Sequence, residues 1–194
     1  MVPDATLVFE TDSPDATRRV ARELGQVLEP VPRAGITVAL LGDLGAGKTV
    51  FVGGLCRGLG VPESTPVVSP TFTVARAYRG RVPIHHLDAY HLRGQAELEA
   101  AGFEEMGGNG RVTCVEWGDR IEDALPPDRL EVSIATLPPP APWAPAPPSE
   151  AGELPEPRRR ITIRALGKAA QRILERLAAR DPSGSPGPKP RGGA

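Results

Sequence analysis

The sequence predicts an α/β fold: a central mixed, mostly parallel sheet flanked by helices, with antiparallel strands at its edges. Three observations predict it. An apolar run, Ile36-Thr37-Val38-Ala39-Leu40-Leu41, passes into a glycine-rich turn and then a helix start at Val50-Phe51-Val52, the strand–turn–helix order of an α/β unit. Two further strand-like segments stop at Asp88 and Glu116, and open α/β sheets gather function at the carboxyl ends of their strands. Two hairpin signals, a turn at Arg79-Gly80 and a strand pair around a proline-rich run, supply the antiparallel edges.

The glycine-rich turn is Gly42-Asp43-Leu44-Gly45-Ala46-Gly47-Lys48-Thr49. Gly-x-x-x-x-Gly-Lys-Thr between strand and helix is the phosphate-binding loop of nucleoside triphosphatases, so the fold is P-loop NTPase-like. The glycines let the backbone curl with its N–H groups inward, a turn that side chains would block. The loop from Asp43 through Leu44, Gly45, Ala46 and Gly47, with the positive end of the next helix, meets phosphate oxygens. Lys48 adds a point charge near the β and γ phosphates, and the Thr49 hydroxyl is placed to ligate Mg²⁺.

The 194 residues suit one domain over residues 1–180, with a tail over 181–194. A net charge of −1 provides no broad basic field for direct nucleic-acid binding. The chain has 23 Pro, 22 Gly and 4% aromatic residues, with much of the Pro and Gly concentrated in two unfolded additions to an ordinary fold. Cys56 and Cys114 are far apart in apolar segments, as expected of buried thiols in a reducing compartment. No apolar run approaches the ~20 residues of a membrane span, and the N-terminus lacks a basic-then-apolar signal. The expected location is the cytoplasm.

Taken in order, Ala5–Glu10 reads as a first strand. Ser13-Pro14-Asp15 starts a helix with an N-cap, a first-turn proline and an acid at the positive end. Ala16, Val20, Leu24, Val27 and Leu28 form its apolar stripe, and residues 30–35 end it. The helix after Thr49 turns Phe51, Val52, Leu55 and Leu59 inward. Gly53 and Gly54 cost it about 1 kcal/mol each against Ala, which close packing on the sheet would explain. Gly58 and Gly60-Val61-Pro62 close it.

Val67–Val74 reads as a loop entering a strand, and Val82–Leu87 as the return strand, with Pro83 at an edge or a strand start. Residues 95–101 form a short acidic helix closed by Gly102. Arg111–Val115 is a buried strand and Ile121–Leu125 a helical turn stopped by Pro126-Pro127. Leu130–Leu137 and Arg160–Leu166 pair around residues 138–157, whose nine prolines predict a polyproline-like disordered insertion. Ala169–Ala179 is the last helix, and no structure is expected from Asp181 onward.

A triphosphatase needs a carboxylate near its magnesium and a group that orients the attacking water. Thr49 and Glu116 form the metal pair, Glu116 acting directly or through a water. Asp88 positions water or supports the metal from behind its ligands. Thr71, after Ser69-Pro70, supplies a second hydroxyl that senses the γ-phosphate. His85, His86 and His91 surround Asp88, but with no thiol in reach they are a poor zinc set. Trp117 either belongs to the core or closes over the nucleotide. Arg158, Arg159 and Arg160 read as a solvated strand start, with a phosphate or adenine contact as the sharper alternative.

These residues together resemble the TsaE (YjeE) family, the ATPases of bacterial tRNA threonylcarbamoyladenosine biosynthesis. The matching pieces are residues 42–49, Ser69-Pro70-Thr71-Phe72-Thr73, His86-Leu87-Asp88-Ala89-Tyr90, Glu97-Leu98 with Gly102 beyond, and Glu116-Trp117. The resemblance implies ATP and Mg²⁺ as cofactors, and weak hydrolysis that matters within a complex. It implies TsaD and TsaB as partners and modification of the adenosine beside the anticodon, with the tRNA reached indirectly. The family's motif positions fall on Lys48, Thr49, Asp88 and Glu116, with Thr71 in a switch-like loop and Thr11 lining the adenine side. His91 stands where the family usually has arginine, and Gly118 where proline is frequent.

A P-loop small-molecule kinase is the alternative. It needs an acceptor pocket and an arginine-rich lid, for which Arg111, Arg120 and residues 158–160 are the available cations. The sequence has no Asn-Lys-x-Asp run to read guanine.

Overall fold

The structure is a computed structural model that describes residues 5–92, 97, 110–138, 156–180 and 185–186. Its strands are β1 (Ala5–Thr11), β2 (Ile36–Leu41), β3 (Ala75–Arg79), β4 (Pro83–Asp88), β5 (Val112–Glu116), β6 (Arg129–Thr136), β7 (Arg159–Leu166) and the two-residue β8 (Ser185–Pro186). Helices α1 (Pro14–Val27), α2 (Lys48–Gly58) and α3 (Lys168–Arg180) accompany them. The sheet order is β3-β4-β5-β2-β6-β7-β1-β8. Its centre, β4-β5-β2-β6, is parallel. The pairs β3/β4, β6/β7 and β7/β1 are antiparallel, so β1 again runs with β2.

Period-two alternation divides the strand residues between two cores. Val38, Leu40, Ile84, Val112 and Cys114 face the three helices, where Leu24, Phe51, Leu55, Ile173 and Leu177 complete the main cluster. Ala39, Leu87 and Val115 face the other way, toward Leu92, Ile121 and Leu125. Ser13 caps α1 as its pattern predicts, its hydroxyl accepting from the Ala16 amide at 3.2 Å. Both cysteines are free and buried. Desolvation pushes the Cys56 thiol up to about 12 and the Cys114 thiol well above its ordinary value.

The Ser-Pro-Thr segment is the expected loop, and strand β3 follows it from Ala75. Other expectations are corrected. The turn after Trp117 is a 3₁₀ helix over Gly118–Ala124. In the tail, Ser185–Pro186 pairs with Leu7 and Val8, where no structure was expected. The acidic helix, Glu97 apart, and residues 139–155 of the proline-rich run lie outside the described residues. Among the described residues, no helix is long and apolar enough to cross a membrane.

Gly54 and Gly58 of α2 pack against α1, not the sheet. A Cβ on Gly58 would come 2.9 Å from the Gly25 Cα, and closer still to the Arg22 carbonyl. A Cβ on Gly54 would meet the Ala21 side chain at 2.8 Å, whereas one on Gly53 would meet open space. Backbone cannot yield as a side chain can, so Gly58→Ala should lower unfolding free energy by about 1–3 kcal/mol. Gly53→Ala should raise it by about 1 kcal/mol through helix propensity. Urea titration of both variants checks the contrast.

Candidate functional site

The loop after β2 turns through Gly47 at φ 109°, ψ 21°, a left-handed conformation that costs glycine little. It carries the chain into α2 with Lys48 as the first helical residue. The parallel register sets Glu116 beside Leu40 of β2 and Asp88 beside Glu116. Three strand tips therefore end level with one another at the same edge of the sheet.

These tips surround a cavity of about 390 Å³, lined by Leu44, Gly45, Gly47, Lys48, Thr49 and Val50 from the loop and α2. Ser69, Thr71, Asp88, Tyr90, Glu116 and Trp117 complete the wall. The Thr49 hydroxyl reaches both Glu116 oxygens, at 2.8 Å to Oε1 and 3.1 Å to Oε2. The Asp88 Oδ2 accepts from Ser69 Oγ at 2.7 Å and Thr71 Oγ1 at 2.6 Å, and Oδ1 accepts from the Tyr90 amide at 2.9 Å. Both carboxylates are almost fully buried, at 3% exposure for Glu116 and 4% for Asp88. A buried carboxylate is stabilised by such donors.

Lys48 lies under Trp117. Its Nζ donates to the Gly42 and Asp43 carbonyls at 2.7 and 2.9 Å and sits 3.6 Å from the indole centroid. Burial lowers its pKa, opposed by the carboxylates of Glu116, Asp88, Asp119 and Asp43. Trp117 joins the two roles the sequence left open. It packs half-buried against the smaller core and lines the cavity, in a left-handed backbone conformation (φ 60°, ψ 42°) uncommon for a bulky residue. Tyr90 stands 5.0 Å from its ring.

Not every predicted site residue converges. Thr11 is 5% exposed, and its hydroxyl bonds to Thr17 at 3.0 Å. It lines a neighbouring cavity with Glu10 and Arg19, not the one at the loop. Ala46 is buried and contributes its carbonyl, whereas Leu44 is 82% exposed at the rim. The three histidines do not form a metal set, and no group of three or more His, Cys, Asp or Glu with that potential occurs among the described residues. His86 instead binds Glu116, at 2.9 Å from Nε2 to Oε1.

Sequence reading grouped Arg159 with Arg158 and Arg160 as a solvated strand start or a phosphate or adenine contact, and the structure separates it from them. Arg158 and Arg160 pair with exposed Glu10, as a solvated strand start should. Arg159 is 7% exposed, and its Nε donates to the Ala46 carbonyl at 3.0 Å. Its signal was available: it shares parity with the inward Ile161 and Ile163. Ser69 and His86 were unassigned. The oxygen set of Thr49, Glu116 and Asp88 suits a hard divalent ion that takes its remaining ligands from phosphate and water.

Sheet order, glycine turn and level strand tips define a P-loop-like α/β protein. The sequence profile described as "Threonylcarbamoyl adenosine biosynthesis protein TsaE" matches residues 11–138. The chain belongs to the TsaE family. It is 33% identical over 176 residues to the Bacillus subtilis "tRNA threonylcarbamoyladenosine biosynthesis protein TsaE", covering 90% of this chain and 96% of that protein. The protein of the same description from Streptomyces coelicolor is 42% identical over 117 residues, covering 58% of this chain and 77% of its own. The crystal structure of Bacillus subtilis YdiB superposes with a TM-score of 0.65 at 29% identity, covering 91% of this chain and 96% of that one.

Removing the Arg159 guanidinium strands a buried carbonyl at the loop. Arg159→Met should lower stability by about 1–3 kcal/mol. Native-state hydrogen exchange should quicken at residues 43–49 more than in α3; uniform quickening would deny the brace.

Proposed function

We propose that this protein binds ATP with Mg²⁺ and hydrolyses it weakly, in the service of threonylcarbamoyladenosine formation on tRNA. The observation that carries this reading is the approach of the Thr49 hydroxyl to Glu116 at the mouth of a glycine-turned loop that also bears Lys48. The names of the relatives from Bacillus subtilis and Streptomyces coelicolor supply the pathway.

The loop amides and Lys48 hold the β and γ phosphates. For that, the Lys48 ammonium exchanges its two carbonyl acceptors for phosphate oxygens, while the Trp117 ring covers it. Thr49 and Glu116 hold the divalent ion, which when bound neutralises charge building between the β and γ phosphates. Asp88 orients the attacking water. Ser69 and Thr71, now donating to Asp88, line the same cavity and would turn to the γ-phosphate, which would couple nucleotide state to the exposed loop bearing Phe72. TsaD and TsaB are the proposed partners. The net charge of −1 favours reaching the tRNA through them.

Lys48→Ala should reduce ATP affinity by at least tenfold in a calorimetric titration, and an unchanged affinity would remove Lys48 from the phosphate site. Glu116→Ala should keep the melting behaviour of a folded protein while magnesium-dependent single turnover falls by about 10²-fold. An affinity pull-down with ATP should recover TsaD and TsaB. Stoichiometric phosphorylation of a small acceptor instead would establish the kinase alternative.

A further inference from the structure

His86 is fully buried, at 0% exposure, on the helix-facing side of β4 beside Cys114 of β5. Its Nε2 meets Glu116 Oε1 at 2.9 Å, while its Nδ1 is buried with no hydrogen-bond partner. This asymmetry sets the tautomer. A proton on Nδ1 would be a buried donor without an acceptor, and it would leave the Nε2 lone pair against a carboxylate oxygen. A proton on Nε2 makes a charge-assisted bond and leaves only an acceptor unmet.

The bond also divides the work of the carboxylate. Oε1 is held from the β4 side by His86 and from the α2 side by Thr49; among the described residues Oε2 has only the longer Thr49 contact, at 3.1 Å. If the Thr49 hydroxyl turns to an ion, Oε1 keeps its histidine while Oε2 loses its Thr49 donor.

We propose that His86 is a positioning residue: as the Nε2–H tautomer it holds Oε1 of Glu116, so that Oε2 and the Thr49 hydroxyl face the divalent ion together. This inference rests on the magnesium reading above and adds a buried partner that fixes the ligand's orientation, as outer partners of metal ligands commonly do.

Two measurements test it. The first uses the full-length protein without nucleotide. Long-range ¹⁵N–¹H spectra of the imidazoles should show the His86 proton on Nε2, and a proton on Nδ1 alone would overturn the proposal. The second uses variants. His86→Leu should raise the Mg²⁺ concentration for half-maximal turnover by about tenfold, while ATP affinity in EDTA stays within about twofold. His86→Gln, whose amide can still donate to Oε1, should return most of the loss, and the shorter His86→Asn should not. The Gln–Asn contrast carries the test if His86→Leu fails to fold. An unchanged Mg²⁺ requirement in folded His86→Leu or His86→Asn would overturn this proposal alone. Wild-type ATP binding and turnover indifferent to Mg²⁺ would overturn the metal reading and this proposal with it.

Discussion

The parallel register of β2, β5 and β4 is the constraint on which the candidate site depends. It sets Leu40 beside Glu116 and Glu116 beside Asp88. With period-two alternation, that register turns Glu116 and Asp88 toward α2, whose first turn carries Lys48 and Thr49. A slip of one residue would send the carboxylates to the opposite face. The apolar residues below them resist such a slip. Ile84 and Cys114 lie in the main core, and Leu87 and Val115 in the smaller one, so both faces lock the same alignment.

The helical layer is built to let α2 approach α1 closely. Gly25, Gly54 and Gly58 bring the two backbones together where side chains would hold them apart. The start of α2, and with it the glycine turn, is thereby held between the sheet and α1. Arginines secure the margins. Arg57 donates to the carbonyls of Val61, Pro62 and Thr65 beyond α2, and Arg159 to that of Ala46. Each spreads several fixed donors over carbonyls outside the helices and strands, Arg159 reaching Pro157 as well.

Polar satisfaction inside the site is achieved by groups that nucleotide binding would redirect. Lys48 is bound to carbonyls, Thr49 to Glu116, and Ser69 and Thr71 to Asp88. On the proposed reading each donor would leave one acceptor for another, so binding would exchange hydrogen bonds instead of creating them from solvent. Val74, at φ 63°, sits at the base of the Ser-Pro-Thr loop in a conformation rare for a β-branched residue. That places backbone strain where the loop joins β3.

The sequence alone determined the glycine turn between β2 and α2, the Ser13 cap, the order of the described strands and helices from β1 to α3, and the strand-end places of Asp88 and Glu116. All of these are local: a run of apolar residues, a cap or a glycine spacing acts within a few residues of itself. Only the tertiary structure decided that Arg159, far along the chain, braces Ala46, that Thr11 bonds to Thr17 away from the loop cavity, and that Gly54 packs on α1 while Gly53 packs on nothing. It also decided that the His86 ring lies against Glu116, at 2.9 Å from Nε2 to Oε1. Each of those depends on which strands and helices become neighbours. That choice is made by burying both faces of the sheet at once, so it belongs to the whole core and to no single stretch of sequence.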